Sequence, residues 1–263
     1  MQLVLGFTFV VNLVTTLAYA VPMVGVKTGR IAVAFALFNI LALVSRTANA
    51  FQAPLLAKQI EQSIQSGTGF QFESQFRWLL VSASVATAAG ILLIPTFQRL
   101  FSKAVLNFSV NRSASRVLLH AFSKAGIKHL KESVTIPSSH NISELREIRH
   151  APISILLVNT IVVAFLTTGV FSALYAGCLN PALRNTASNL SAVINGVATI
   201  LLTILIDPYF SAMTDDVREG KASEVSFRKN IVLLVVSRLI GTGLAQLVFV
   251  PGSKLILSIA KIL

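Results

Sequence analysis

Residues 152–176 read PISILLVNTIVVAFLTTGVFSALYA, twenty-five residues without a single Lys, Arg, Asp or Glu. About 20 apolar residues in helical form cross the hydrocarbon core of a bilayer. A stretch this long and uncharged therefore predicts a transmembrane helix. Comparable apolar runs at about 4–23, 31–53, 78–98, 187–210 and 230–250 bring the total to six. The predicted fold class is an all-α integral membrane protein with about six transmembrane helices in one domain spanning residues 1–263.

Composition supports the same reading. Of 263 residues, 54% are hydrophobic and 12% charged, and mean hydropathy is +0.75. A soluble chain of this size needs far more polar side chains to cover its surface. The net charge of +12 would suggest nucleic acid in a soluble protein. Here it has a simpler use, because cytoplasmic loops of membrane proteins are enriched in Lys and Arg. No nucleic-acid partner is expected. The single cysteine, Cys178, excludes an internal disulfide and multi-cysteine metal sites. Ala-Tyr-Ala at 18–20 has the form of a cleavage box, but no Lys or Arg precedes the first apolar run. A retained first helix is the expectation.

Fifteen of the 22 basic residues fall in the loops after spans 1, 3 and 5, and five fall on the other side. This bias predicts that those loops are cytoplasmic and both termini outside. Most of it comes from residues 99–151, a basic segment read as cytoplasmic and partly amphipathic. Leu100, Phe101, Ala104, Val105 and Phe108 recur there at helical spacing, with Arg99, Lys103 and Arg112 between them. The pattern predicts an extension of the third helix lying near the lipid surface. Arg99, Lys103, Arg112 and Arg116 are candidates for gathering anionic lipid, and their simpler role is to fix topology. Residues 59–75 are polar and read as a flexible outer loop. Pro22, Pro54 and Pro251 fall near the proposed span ends, whereas Pro95 and Pro208 lie deeper, where a missing amide kinks a helix.

Arg46 and Arg238 fall inside apolar spans. Charges at membrane depth are costly and are functional candidates by default. Counted from their cytoplasmic ends, Arg46 lies about 22 Å along its helix and Arg238 about 12 Å. A guanidinium is never neutral and grips phosphate through a planar fork. Two such groups at staggered depths suit a polyanion moving between stations. The plainer reading is snorkelling, or an internal ion pair, for which Asp207 is the candidate partner of Arg238. Uncharged polar residues form further stripes at helical spacing: Asn12 and Tyr19; Asn39 and Asn49 beside Arg46; Asn195 and Thr199 leading to Asp207. Together these nine residues are the candidate substrate-binding set, lining a polar cavity. For each alone, packing between helices is the ordinary explanation.

Enzyme signals are poor, and a polyprenyl-phosphate enzyme is disfavoured by the lack of acids at membrane depth. The four histidines, His120, His129, His140 and His150, lack metalloprotease spacing, and no phosphate-binding loop or nucleophile elbow occurs. No catalytic residue, metal or cofactor is expected.

Three strings carry a family resemblance: FNILALVSRTANAFQAPL at 38–55, IPTFQRLF at 94–101, and SALYAGCLNPALRNTASNLSAVINGVATILLTILIDPYFSAMTDDV at 172–217. They resemble the Amj family of alternative lipid II flippases, over essentially the whole chain. The resemblance implies a flippase of the bacterial cytoplasmic membrane, with the undecaprenyl-pyrophosphate-linked peptidoglycan precursor lipid II and membrane lipids as partners. On the residues alone, a transporter or channel for another anionic or lipid-linked solute and a non-transporting cell-wall scaffold remain open.

Overall fold

The computed structural model describes residues 1–65, 72–111 and 153–263. Six helical stretches are long and apolar enough to cross a membrane, and no strand occurs among the described residues. The protein is an all-α, multi-pass membrane protein.

The first span is two helices, α1 (Gln2–Leu17) and α2 (Val21–Thr28), joined by a 3₁₀ turn at Ala18–Ala20. Pro22 explains the join. It has no N–H for the Ala18 carbonyl four residues back, and the Val21 N–H takes that carbonyl instead. Gly29, with φ +66°, ends α2. A glycine there avoids the steric cost of the left-handed conformation. The second and third spans are α3 (Ile31–Gln65) and α4 (Phe72–Asn111). The fourth is α5 (Ile153–Leu179).

The fifth span is also interrupted. After a turn capped by Asn180, whose side chain accepts the Ala182 N–H at 3.2 Å, come α6 (Arg184–Leu201), a π-helical stretch at Leu202–Ile206, and α7 (Asp207–Arg218). The widened turn ends just before Pro208, whose ring displaces the carbonyl four residues back. The last span is α8 (Glu224–Ile262), capped by Ser223, whose hydroxyl oxygen accepts the Ser226 N–H at 3.1 Å. The start of α1 and the later part of α8 pack together, Val4 with Phe249, on what is called here the terminal side. The turns at Gly29 and Gly220 mark the other, basic side.

Small residues let the spans approach closely, as membrane helix packing favours. A Cβ on Gly241 of α8 would sit 2.7 Å from the Thr160 carbonyl oxygen of α5, and one on Gly90 of α4 would sit 2.8 Å from the Thr16 side chain of α1. Phe76, Leu79, Leu80, Phe171 and Phe249 lead an apolar cluster that ties α4, α5 and α8 together, with Val4 of α1 and Leu56 and Ile60 of α3. Tyr19, Met213, Phe227, Ile231 and Leu234 form another between the first, fifth and sixth spans.

The helices exceed the predicted spans. α3 continues to Gln65 through Pro54, and α8 to Ile262 through Pro251, so neither proline marks an end. Neighbouring spans re-satisfy the backbone groups that such prolines free. Residues 59–65 and 72–75, expected in a flexible loop, are helical, and only 66–71 between them lie outside the described residues. The extension of α4 is real to Asn111, but its apolar face does not lie on lipid. Phe101 and Val105 are buried with Val21 and Val24 of α2 and Ala34 and Leu37 of α3. The resumed helix α2 provides that partner. Arg112, Arg116, the four histidines and the rest of 112–152 lie outside the described residues.

Candidate functional site

The polar interior centres on Arg238 of α8, which is 7% exposed. Its side chain reaches α1 just above the 3₁₀ turn. Nε donates to Thr16 Oγ1 at 3.1 Å and Nη2 to Thr15 Oγ1 at 2.5 Å. The guanidinium carbon also stands 5.9 Å from the centre of the Tyr19 ring. The two threonines are oriented as acceptors because each donates its own proton backward, Thr15 to the Val11 carbonyl at 2.7 Å and Thr16 to the Asn12 carbonyl at 2.6 Å. Their remaining lone pairs face the cation.

Tyr19 is fixed in turn. Its hydroxyl donates to Asn159 Oδ1 of α5 at 3.0 Å, and the Asn159 amide donates to Ser237 Oγ at 2.8 Å and the Leu234 carbonyl at 3.1 Å. Asn159 is fully buried and ties the break in the first span to the helix carrying Arg238. Sequence patterning did not single it out, because a lone Asn in a uniformly apolar helix has no stripe to belong to. The Val236-Ser237-Arg238 sequence was the available signal, since Ser237 shares the network.

Among the described residues no carboxylate pairs with this cation. The ion pairs among the described residues are Glu73–Arg77, Glu61–Arg184 and Glu219–Lys221. The expected Arg238–Asp207 pair is not formed. Asp207 is exposed at the start of α7, and α7 has little contact with α8. Arg238 thus carries an uncompensated charge inside the bundle, using two N–H groups of its five on neutral hydroxyls.

The remaining candidates divide between two flanks. Asn39, Arg46 and Asn49 are all exposed along α3. Next to Arg46, the Ser45 hydroxyl lies 3.5 Å from the Val11 carbonyl of α1, and Gln52 donates to Thr8 Oγ1. Arg46 therefore stands near the level of Val11, about one turn, roughly 6 Å, nearer the terminal side than the Arg238 contacts at Thr15 and Thr16. On the other flank, Thr199 is exposed and donates to its own helix at the Asn195 carbonyl. Asn195 is half-buried over Gly169, with its Oδ1 buried and unbonded. Asn12 is buried and donates to the Thr8 carbonyl at 2.9 Å. Of the nine candidates, Tyr19 and Arg238 are brought together. Asn12 supplies the carbonyl that orients Thr16.

The spans bearing the two exposed flanks are also the least buried. In their most apolar windows, 24% of the second span and 11% of the fifth are buried, against 50% of the first. α3 packs chiefly on α1, α2 and α4, and α6 chiefly on α5, with little contact between α3 and α6 themselves. They are bridged at the terminal side by the Arg184–Glu61 ion pair, and α7 meets α2 toward the basic side. A separate open cavity of about 510 Å³ lies at the terminal end of α4 and α5, lined by Glu73, Arg77 and Tyr175 among others. No cluster of metal-ligating side chains occurs among the described residues.

The fold and site define a polytopic membrane protein with an unpaired buried cation beside a broken helix. The family described as Alternate to MurJ, Amj, matches residues 7–260, and the chain belongs to this family. It is 37% identical over 256 residues to the lipid II flippase Amj of Bacillus subtilis strain 168, covering 97% of this chain and 94% of that protein. No solved structure matches it.

Proposed function

We propose that this protein is a lipid II flippase of the bacterial cytoplasmic membrane, a transporter and not a catalyst. Family membership and the named relative support the activity. The observation that supports a transport site within this chain is Arg238, a buried guanidinium with no carboxylate partner, facing α1 at a break in the helix.

The chemistry fits a pyrophosphate-linked lipid. A polar headgroup entering hydrocarbon loses water without replacement, at several kcal/mol for each unbonded polar group. A guanidinium already withdrawn from water returns most of that loss to an anion, and charge-assisted bonds are its strongest. The sparse contact between α3 and α6 supports lateral access between them, so that the polyprenyl tail can stay in lipid while the headgroup enters. Arg238 accepts the pyrophosphate from the cytoplasmic leaflet. Arg46, about one turn nearer the terminal side, assists its release in alternating access. Asn39, Asn49, Asn195 and Thr199 offer amide and hydroxyl groups to the sugar and peptide. The basic side faces the cytoplasm, following the charge bias, with both termini outside. Exposed Arg99 and Lys103, with Arg112 and Arg116 beyond the described residues, gather the anionic lipid.

The test is to deplete the resident lipid II flippase in a bacterial host, express this protein, and add a toxin that cleaves lipid II from outside. Cleavage is the expected result. A correctly inserted protein that leaves lipid II inaccessible discards the proposal.

A further inference from the structure

An anion carrier must also return empty, and Arg238 makes that step costly. Once the pyrophosphate leaves, a guanidinium held by two neutral hydroxyls remains inside the bundle. The effective penalty for an unpaired buried ion is several kcal/mol. A carboxylate that could approach would remove it.

The described acids narrow the choice to one. Glu61 and Glu73 are engaged in ion pairs at the terminal side. Asp215, Asp216, Glu219 and Glu224 cluster around the turn at Gly220 on the basic side. Only Asp207 lies along a span between these groups. Its level matches. Phe210, one turn further along α7, packs edge-on against Tyr19 with ring centres 5.4 Å apart. Tyr19 is the ring beside the Arg238 guanidinium. α1 and α7 both run from the terminal to the basic side. One turn back from Phe210 is Asp207, and one turn back from Tyr19 are the threonines that hold Arg238. Asp207 therefore stands in register with the guanidinium without touching it.

The intervening element is also the one best suited to move. The π-helical stretch Leu202–Ile206 ends directly at Asp207, and its span has the smallest buried share of the six. Such bulges absorb a change of helical register that a regular helix resists.

We propose that Asp207 is the exchangeable counter-ion of Arg238: it closes onto the guanidinium when the carrier is empty and yields it to the pyrophosphate on loading. The inference rests on the flippase reading and assigns the residue that resets it. Asp207 acts by competing for the cation and does not grip the headgroup.

The experiment measures binding of undecaprenyl pyrophosphate to the full-length protein in nanodiscs, and lipid II flipping in vesicles, for wild type, Asp207→Asn and Asp207→Glu. Asparagine removes the competing charge at nearly constant size. Asp207→Asn is expected to bind the pyrophosphate lipid about tenfold tighter, equivalent to about 1.4 kcal/mol, while its turnover falls. Asp207→Glu keeps the charge and is expected to follow wild type in affinity. Unchanged or weaker binding by a folded Asp207→Asn protein overturns the proposal, as does Asp207→Glu behaving like asparagine. Wild type that binds undecaprenyl pyrophosphate but flips no lipid II refutes the substrate reading alone, and the affinity comparison still decides the role of Asp207. Wild type that binds no pyrophosphate lipid overturns both.

Discussion

Replacing Arg238 by methionine separates a structural arginine from a functional one. The side chain has two charge-assisted hydrogen bonds, each about 1.5–3 kcal/mol, and one contact with an aromatic ring worth about 1–2 kcal/mol. Against these stands a desolvation cost of several kcal/mol for an unpaired cation. The terms nearly cancel. Methionine fills most of the same volume, and the groups left behind stay satisfied. Thr15 and Thr16 still donate to the Val11 and Asn12 carbonyls, and Tyr19 still donates to Asn159. Arg238→Met should therefore change unfolding free energy by no more than about 2 kcal/mol in either direction. Transport should fall much further. Loss of one charge-assisted contact to pyrophosphate, about 1.5–3 kcal/mol, corresponds to roughly a tenfold to hundredfold loss. Thermal unfolding in detergent and toxin accessibility of lipid II measure the two quantities on the same preparation. Destabilisation beyond about 4 kcal/mol would show that the arginine holds the bundle together, and full transport by the variant would show that it does not handle the substrate.

Arg46→Ala is expected to keep insertion and melting temperature but to slow flipping, with Arg46→Lys intermediate because it retains charge without the planar fork; full flipping by the alanine protein removes Arg46 from the site. Gly90→Leu should uncouple α1 from α4, since even a Cβ would lie 2.8 Å from the Thr16 side chain; overpacking of about 1–3 kcal/mol should appear as a lowered melting temperature and reduced transport together. A reducible bifunctional thiol crosslinker joining Glu61→Cys to Arg184→Cys, in a Cys178→Ala background, should lock α3 to α6 where the long side chains of their ion pair now join them. Flipping should stop and return on reduction, and unimpeded flipping by the crosslinked protein would show that α3 and α6 need not separate at this end.

Much of the fold was legible in the sequence because bilayer length and hydropathy constrain helices strongly. Residues 153–176 carry no charge and pack into one uninterrupted helix. Span ends were less legible. Pro54 and Pro251 looked like terminators, but a helix continues through proline when neighbouring spans satisfy the freed carbonyls. Pro22 had the opposite outcome, and the difference lies in tertiary context, since α2 resumes against Phe101 and Val105. Burial of that face could not be inferred from residues 97–108 alone, because a helix resting on lipid and one resting on another helix show the same period. For the site, Arg238 was legible as an intramembrane charge, and Tyr19 as part of a polar stripe. Their pairing was not. It joins positions 219 residues apart in a direction no spacing rule encodes. Asn159 stayed hidden for the same reason, since its partners are on other spans.

The placement of the two helix breaks ties these observations together. A continuous first span would satisfy the Ala18 carbonyl four residues ahead, but Pro22 forbids it and tightens the turn that carries Tyr19. Tyr19 then meets Arg238, Asn159 and Phe210, so the last, fourth and fifth spans all converge on the discontinuity in the first. The fifth span breaks directly before Asp207, at the matching level. Breaks at membrane depth cost hydrogen bonds that regular helices would keep, and they are tolerated where protein buries them or water fills a cavity. Helices that only packed would gain nothing from two of them at one level. A carrier gains a hinge on each side of its charge. On the proposed mechanism the buried cation would supply affinity, and the two broken spans would supply the movement that exchanges one anion for another.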